Sequence, residues 1–245
     1  MKTYLKEIII LTWIFALAFA FAQVAGAQTI LIDQQPDQVN GYMNDSNCDI
    51  CGTGQQSVAE NFFLAATETI GQIIIWGGYF PTNVPLAADN YTVIFHADAA
   101  GLPGAAVAPA ETNVPTTRVD TGINLFGVDE YQFTLTLVNP VTLTPGIYWV
   151  EIYNDSTGSA ESVFWETGSL DPLNGIDNDA ASTSTPGSGA GWFNLGAGNN
   201  MSLQLITISP IPVHVPSMNA WGMIIFSLLL AGSALWAIRQ RKSDI

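Results

Sequence analysis

The chain has 245 residues, a formal net charge of −15 at pH 7 and 48% hydrophobic residues. Nineteen of its 21 acidic residues lie between positions 28 and 214, whereas Arg118 alone among its six lysines and arginines lies there, so this stretch carries about −18. A surface this acidic repels phosphate backbones, which excludes nucleic acid as a partner but remains compatible with divalent cations.

The first 27 residues have the three parts of a secretory signal peptide. Two lysines precede an unbroken apolar run at 8–22, and small residues follow up to Ala27. This order predicts export and cleavage before Gln28, with an uncleaved signal anchor as the alternative interpretation.

The cysteines Cys48 and Cys51 have the spacing C-x-x-C. Such a pair forms a redox site, half of a zinc site or a disulfide. The histidines, His96 and His214, are distant in sequence, and no helical pattern follows Cys51 to stabilise a thiolate. Outside the cytoplasm, we therefore expect a short loop closed by a disulfide.

Between the two ends, short runs of β-branched and aromatic residues are separated by Gly, Pro, Asn and Asp. Apolar and polar residues alternate from Tyr131 to Leu137, and Pro145-Gly146 marks a turn between two strands. The pattern predicts one all-β domain at 28–208, an antiparallel β-sandwich or jelly roll. The predicted strands are 30–33, 57–64, 70–76, 91–96, 117–121, 131–138, 147–153, 162–166 and 202–208.

The domain has no sequence motif of a known catalytic centre. His96 follows an alternating strand, where a polar residue at the strand end is the expected role rather than a general base, and His214 lies in the linker that follows the domain. Glu151, Glu161 and Glu166 leave a glycosidase-type acid pair open as an alternative. The interpretation favoured by the sequence is a protein without enzymatic activity.

One loop concentrates oxygen ligands of the kind that Ca²⁺ prefers. Its candidate ligands are Asp171, Asn174, Asp177 and Asp179, although the spacing differs from that of an EF-hand loop. The alternative is a solvated acidic loop. Calcium is therefore a possible cofactor at this position.

Five aromatic residues in the domain are candidates for a sugar-stacking platform, but a sandwich also needs large side chains in its core. We expect most of them in the core. Trp192 is the expected exception because it follows the flexible stretch 182–191. The five are Trp76, Tyr79, Trp149, Trp165 and Trp192.

The C-terminal end has a linker at 209–222, an uncharged apolar run at 223–238 and a basic tail at 239–245. The run is long enough to cross a bilayer as a helix. Arg239, Arg241 and Lys242 act as a stop-transfer signal and should stay cytoplasmic, which places the acidic domain outside the membrane. A buried core helix and a glycolipid-anchor signal are the weaker alternatives.

The segment VPSMNAWGMII, the short apolar helix and the basic tail resemble the IPTL-CTERM protein-sorting domain. Asn219 and Ala220 depart from its usual Ser-Glu. The resemblance implies recognition by an exosortase-type enzyme in the inner membrane of a Gram-negative bacterium, with the chain as its substrate. The matching sorting-motif positions are Val215, Pro216, Ser217, Met218, Trp221 and Gly222.

The domain itself is similar to exported bacterial β-sandwich domains that often carry such tails. Its landmarks are the sequences VAENF from Val58, IIWGGYF from Ile74 and YTVIFHAD from Tyr91. The resemblance implies a fold and a location but no active site. We therefore expect a membrane-anchored precursor that becomes a cell-surface or matrix protein, with a structural, adhesive or polysaccharide-associated role. A carbohydrate-active enzyme and a calcium-stabilised adhesin are the alternatives.

Overall fold

The computed structural model describes residues 28–48, 51, 54–176, 180–196 and 198–208. The chain divides into two compact units, Met1–Ser209 and Pro210–Ile245, and all described residues belong to the first. These residues form fourteen strands and no helix. The prediction of an all-β domain is therefore confirmed.

Seven strands form an antiparallel sheet, sheet A, around the long strand β4. One side of β4 pairs with β9, which pairs with β8. The other side pairs with β14 along its first half and with β11 along its second half, and β1 and β2 complete these two branches. The strands are β1 (Gln28–Gln34), β2 (Pro36–Met43), β4 (Glu68–Phe80), β8 (Thr116–Leu125), β9 (Val128–Leu143), β11 (Ser162–Gly168) and β14 (Leu203–Ile208).

The other seven strands form sheet B, which is also antiparallel. Its order is β13, β12, β3, β10, β5 and β6, with β7 pairing to β5 as well. The strands are β3 (Ser57–Leu64), β5 (Tyr91–Asp98), β6 (Pro103–Ala106), β7 (Glu111–Val114), β10 (Gly146–Asn154), β12 (Ala181–Thr183) and β13 (Phe193–Asn194).

The inner faces of the two sheets share one hydrophobic core. Ile73, Phe133 and Trp165 enter it from sheet A, and Phe62 and Val150 enter it from sheet B, each at 0% exposure. Alternation along the strands places the intervening residues on the outer faces. This is the arrangement of a β-sandwich.

All nine predicted strands are present, most of them longer than predicted. The sequence analysis missed β2, β6, β7, β12 and β13. Four of these five have two to four residues, too few for alternation to be visible. The fifth, β2, begins at Pro36 and has the polar sequence PDQVNGYM, which has no alternating apolar face.

The predicted membrane segment is not among the described residues. None of those residues forms a helix long and apolar enough to span a bilayer. The signal peptide at 1–27, the linker from 209, the apolar run at 223–238 and the tail at 239–245 all lie outside the described ranges.

Gly77 in β4 provides a test of the sheet's packing. A Cβ atom at this position would lie 1.9 Å from the backbone oxygen of Phe164 in β11. Since backbone cannot move aside without breaking the ladder, Gly77→Ala should lower the free energy of unfolding by about 3 kcal/mol or more in urea denaturation. Gly146→Ala is the control, because its Cβ would meet only a side chain, at 3.4 Å. Equal stability of the two variants would contradict this account.

Candidate functional site

The outer face of sheet A carries an open groove of about 260 Å³ that we call the aromatic groove. Three phenylalanine rings dominate its lining, and they come from different strands and from a turn. Asn40 supplies a polar group at its edge. The groove is lined by Asn40, Gly41, Met43, Phe80, Phe126, Val128 and Phe164.

Phe126 is displayed at the groove by a strained turn. It lies in the two-residue connection between β8 and β9, where Phe126 has φ 56° and Gly127 has φ 88°. Turns with two positive φ values favour Asn and Gly, and the left-handed conformation costs a bulky residue about 1–2 kcal/mol. Nevertheless the Phe126 side chain is 58% exposed, so its burial does not compensate for the strain. Strain of this kind is a feature of functional positions.

The floor of the groove is Phe164, which is held by glycines on the neighbouring strands. Cβ atoms at Gly41 in β2 and Gly78 in β4 would lie 2.7 and 2.8 Å from its ring. Any larger residue at either position would displace the ring. Phe164 packs against Met43, Leu125 and Val128 in a small apolar cluster separate from the main core.

Two buried glutamates lie beside the groove on sheet A. Glu166 in β11 is opposite Gly41 in the β-ladder, and Glu130 follows Val128 by two residues. Neither carboxylate oxygen of Glu166 accepts a hydrogen bond from a donor group among the described residues. Burial, the hydrogen bond and charge of Glu130 and the charge of Asp37 together raise the pKa of Glu166 to about 9, and burial contributes most.

A second cluster of polar groups lies on the outer face of sheet B. The Glu151 carboxylate accepts hydrogen bonds from Ser57 Oγ at 2.7 Å, Gly187 N at 2.9 Å and His96 Nε2 at 2.9 Å. His96 Nδ1 lies 2.9 Å from the carbonyl oxygen of Gly104. Both ring nitrogens of His96 therefore face oxygen atoms, one of the Glu151 carboxylate and one of the backbone.

This cluster has the residue types of a catalytic triad but not its geometry. In a triad, the histidine contacts the serine and the carboxylate orients the histidine. Here Glu151 lies between Ser57 and His96, and all three residues are at most 1% exposed. The arrangement therefore fastens a loop to the sheet through Gly187 and joins β5 to β6 through Gly104. His96 lies inside β5, two residues before the strand ends, so the position expected for it was wrong, whereas its expected role as a polar residue rather than a general base stays a prediction.

The three glutamates considered as a glycosidase pair lie apart. Glu151 is on the outer face of sheet B, whereas Glu166 is on that of sheet A. Glu161 accepts hydrogen bonds from the backbone nitrogen and hydroxyl of Thr82. The actual partner of Glu166 is Glu130, which sequence spacing could not identify because the two strands are separated by β4.

The aromatic candidates lie in the main core and on the outer faces of both sheets. Tyr79 and Trp165 lie in the main core, as expected. Trp76 follows the core residue Ile75 in β4, so alternation places it on the outer face of sheet A, where it is 4% exposed. Trp149 and Trp192 pack together with Ala59 and Ala181 outside that core. Trp192 is half-buried there rather than exposed at a loop edge.

The predicted calcium loop is described in part. Asp171 accepts backbone hydrogen bonds from Asp33, Leu173 and Asn174, and the Asn174 amide donates to the carbonyl oxygen of Leu31 at 2.7 Å. These contacts fix the loop to β1. Asp177 and Asp179 lie outside the described residues, so calcium binding here stays a prediction. Within the described ranges, no three His, Cys, Asp or Glu side chains converge as a metal site.

The predicted disulfide is present. Cys48 and Cys51 are joined with an S–S distance of 2.02 Å. The pairing fits an oxidising environment, as in exported proteins.

The sorting motif from Val215 to Gly222 and the basic residues Arg239, Arg241 and Lys242 lie outside the described residues.

Comparison with known proteins gives no match: no protein-family model matches the chain, and no curated protein is significantly similar to it.

The raised pKa of Glu166 predicts a pH-dependent stability difference. The folded protein binds one proton more than the unfolded chain between pH 4.5, the ordinary value, and about 9, so this group lowers stability as pH rises through that window. Glu166→Gln removes the ionisable group. The variant should therefore gain free energy of unfolding over the wild type progressively from pH 5 to pH 9 in urea denaturation.

The control for Glu166→Gln is Glu68→Gln at the half-buried start of β4. It makes the same substitution in the same sheet at a position where the carboxyl group is only half-buried. If the free energies of unfolding of both variants change with pH as that of the wild type does, the account of Glu166 is wrong.

Proposed function

We propose that this chain is an exported, non-enzymatic surface or matrix protein whose sandwich binds extracellular polysaccharide through the aromatic groove. The observation that carries the proposal is Phe126, a bulky residue held at positive φ with its ring exposed beside two other phenylalanines. A protein under selection for stability alone has no use for such a residue in this turn. Aromatic faces pack against the apolar faces of sugar rings.

The charge of the domain selects among polysaccharides. Arg118 is the single lysine or arginine among the described residues, and its guanidinium bonds Asp89, the Tyr79 hydroxyl and the Leu86 carbonyl oxygen. No basic side chain is therefore left, within the described ranges, to neutralise an acidic polymer. The proposed ligand is a neutral polysaccharide, because an anionic one would be repelled by the acidic surface.

Glycoside hydrolysis fits the geometry less well. Hydrolysis needs an acid pair that reaches the glycosidic bond. Glu130 and Glu166 are adjacent to the groove, but both are buried, with 1% and 0% of their surface exposed. The groove binds without providing an accessible acid.

Replacement of Phe126 by glycine separates stability from binding. Phe126→Gly removes both the ring and the backbone strain, so the free energy of unfolding should rise by about 1 kcal/mol. Affinity for a neutral glucan should fall about five- to tenfold, measured with the full chain by retardation in gels containing hydroxyethylcellulose.

The matched control is Phe193→Ala, since Phe193 is 55% exposed but lies on β13 of the other sheet. Its retardation should equal that of the wild type, and gels containing alginate should retard neither protein. The groove would be ruled out as the binding site if the neutral glucan did not retard the wild type, or if both variants lost retardation equally.

We propose further that an exosortase-type enzyme processes the C-terminal segment after export. The support is the order of Pro216, Trp221-Gly222, an apolar run and a basic end. A proline just outside the bilayer keeps the preceding chain extended, which suits presentation to a protease.

Substitution within the sorting motif tests this route. Trp221→Ala should leave the unprocessed chain in the membrane fraction, whereas the wild type should appear at the surface at lower mass on immunoblots. Asn219→Ser, which restores the residue usual at that position, should be processed like the wild type. Processing that is unchanged in Trp221→Ala would contradict the proposed partner.

A further inference from the structure

The outer face of sheet B contains a closed site that differs from the aromatic groove. Residues 184–192, which we call the strap, pass over this face. The backbone nitrogen of Gly187 donates to Glu151, and a Cβ at Gly187 would lie 3.0 Å from the Tyr153 hydroxyl oxygen and 3.7 Å from the side chain of Ile94. The strap therefore lies directly on β5 and β10.

Beneath the strap, Trp149 occupies the centre of a row of residues. It pairs with Asn61 in β3 on one side and with His96 in β5 on the other. Its indole nitrogen donates to Asp98 Oδ1 at 3.0 Å. Trp192, at the end of the strap, packs against the cluster that contains Trp149 and makes an edge-to-face contact with His96 at 6.0 Å between ring centroids.

Two polar side chains around Trp149 have no hydrogen-bond partner among the described residues. Asn61 is 0% exposed, and both its amide nitrogen and its amide oxygen are unpartnered. The indole nitrogen of Trp192 is buried and unpartnered as well. A buried amide in this state costs about 1–3 kcal/mol, so its retention at this position of β3 requires an explanation.

Hydroxyl groups shape the strap. Thr185 Oγ1 and Ser188 Oγ within it, and Thr183 Oγ1 at the end of β12, all donate to the carbonyl oxygen of Ala190. Gly187, Gly189 and Gly191 have positive φ values of 66–73°, a conformation in which glycine alone has little steric restriction. The bond from Gly187 to Glu151 fastens its tip to the sheet.

We infer that the strap covers a second binding site, one that takes an N-acetylated sugar between Trp149, Trp192 and Asn61. An acetamido group offers one N–H and one carbonyl oxygen, which match the acceptor and donor of the Asn61 amide in a reciprocal pair. The indoles supply apolar surface for the methyl group and the pyranose ring. The choice of a sugar among amide-bearing ligands rests on the proposed function, but the site shares no residue with the aromatic groove.

The test compares two trisaccharides on the purified full chain, kept in a detergent without a sugar headgroup. The β-1,4-linked trimer of N-acetylglucosamine should bind about tenfold more tightly than the β-1,4-linked glucose trimer in isothermal titration calorimetry, because a site built to bond an amide rejects the analogue that lacks it. Equal affinity for the two trimers overturns the inference.

Asn61→Leu gives the decisive variant, because it removes the unpartnered amide and keeps the number and branching of the side-chain heavy atoms. It should abolish the preference for the acetylated trimer and raise the melting temperature of the unliganded protein. Trp192→Phe, which removes one donor, should weaken binding of the acetylated trimer severalfold. Retained preference in Asn61→Leu overturns the inference.

Asn154→Leu is the matched control for stability. Asn154 is also 0% exposed, but its amide donates to Asp45 and accepts from the backbone nitrogen of Asn90. Its loss should lower the melting temperature. If Asn61→Leu lowers it equally, Asn61 is already satisfied in the free protein and the inference fails.

Phe126→Gly separates the two proposals. It should weaken glucan retardation while leaving the preference for the acetylated trimer intact. If Phe126→Gly loses glucan retardation but the wild type shows no preference for the acetylated trimer, only the second site is ruled out. If the wild type prefers the acetylated trimer but Phe126→Gly is retarded by the glucan as strongly as the wild type, only the aromatic groove is ruled out.

Discussion

The scarcity of cations is the constraint on which this structure depends. A buried carboxylate needs either an opposite charge or several hydrogen-bond donors. Arg118, the one lysine or arginine among the described residues, is already bonded to Asp89. The other buried acids therefore rely mainly on backbone nitrogens, hydroxyls and amides. Asp45 is the fullest case: it accepts from the nitrogens of Asn47, Ser156 and Val163, from the Ser156 hydroxyl and from the Asn154 amide, although burial still raises its pKa.

This constraint explains how loops and edges are joined to the two sheets. Each buried acid collects donors from segments distant in sequence and so acts as a local cross-link. Glu151 joins β3, β5 and the strap, Asp171 joins its own loop to β1, and Glu60 in sheet B accepts from Gln34 and from the backbone nitrogen of Met201. Glu166 is the exception, since no described group donates to it and its raised pKa keeps a proton on it at neutral pH.

The strands could be predicted from the sequence because their signal is local. Alternation, as in Tyr131 to Leu137, and a Pro-Gly turn depend on neighbours along the chain, and the disulfide followed from two cysteines three residues apart. The sites could not be predicted in the same way. Glu166 meets Glu130 across an intervening strand, and Asn61 lies beside Trp149 through a register that joins residues 88 positions apart. One local signal was available, since Phe-Gly in a two-residue hairpin connection already marks an unusual turn.

The outer faces of the two sheets differ in what covers them. On sheet A, Gly77 lets β4 approach the backbone of β11 closely, and Gly41 and Gly78 leave room for the Phe164 ring at the floor of the aromatic groove. Sheet B instead carries the indole of Trp149, the imidazole of His96 and several carboxylates, which need both apolar cover and donors. The strap supplies both, through Trp192 and the nitrogen of Gly187. This cover leaves the Asn61 amide without a partner, and the acetylated pyranose proposed for this face would supply that partner together with apolar surface for the two indoles.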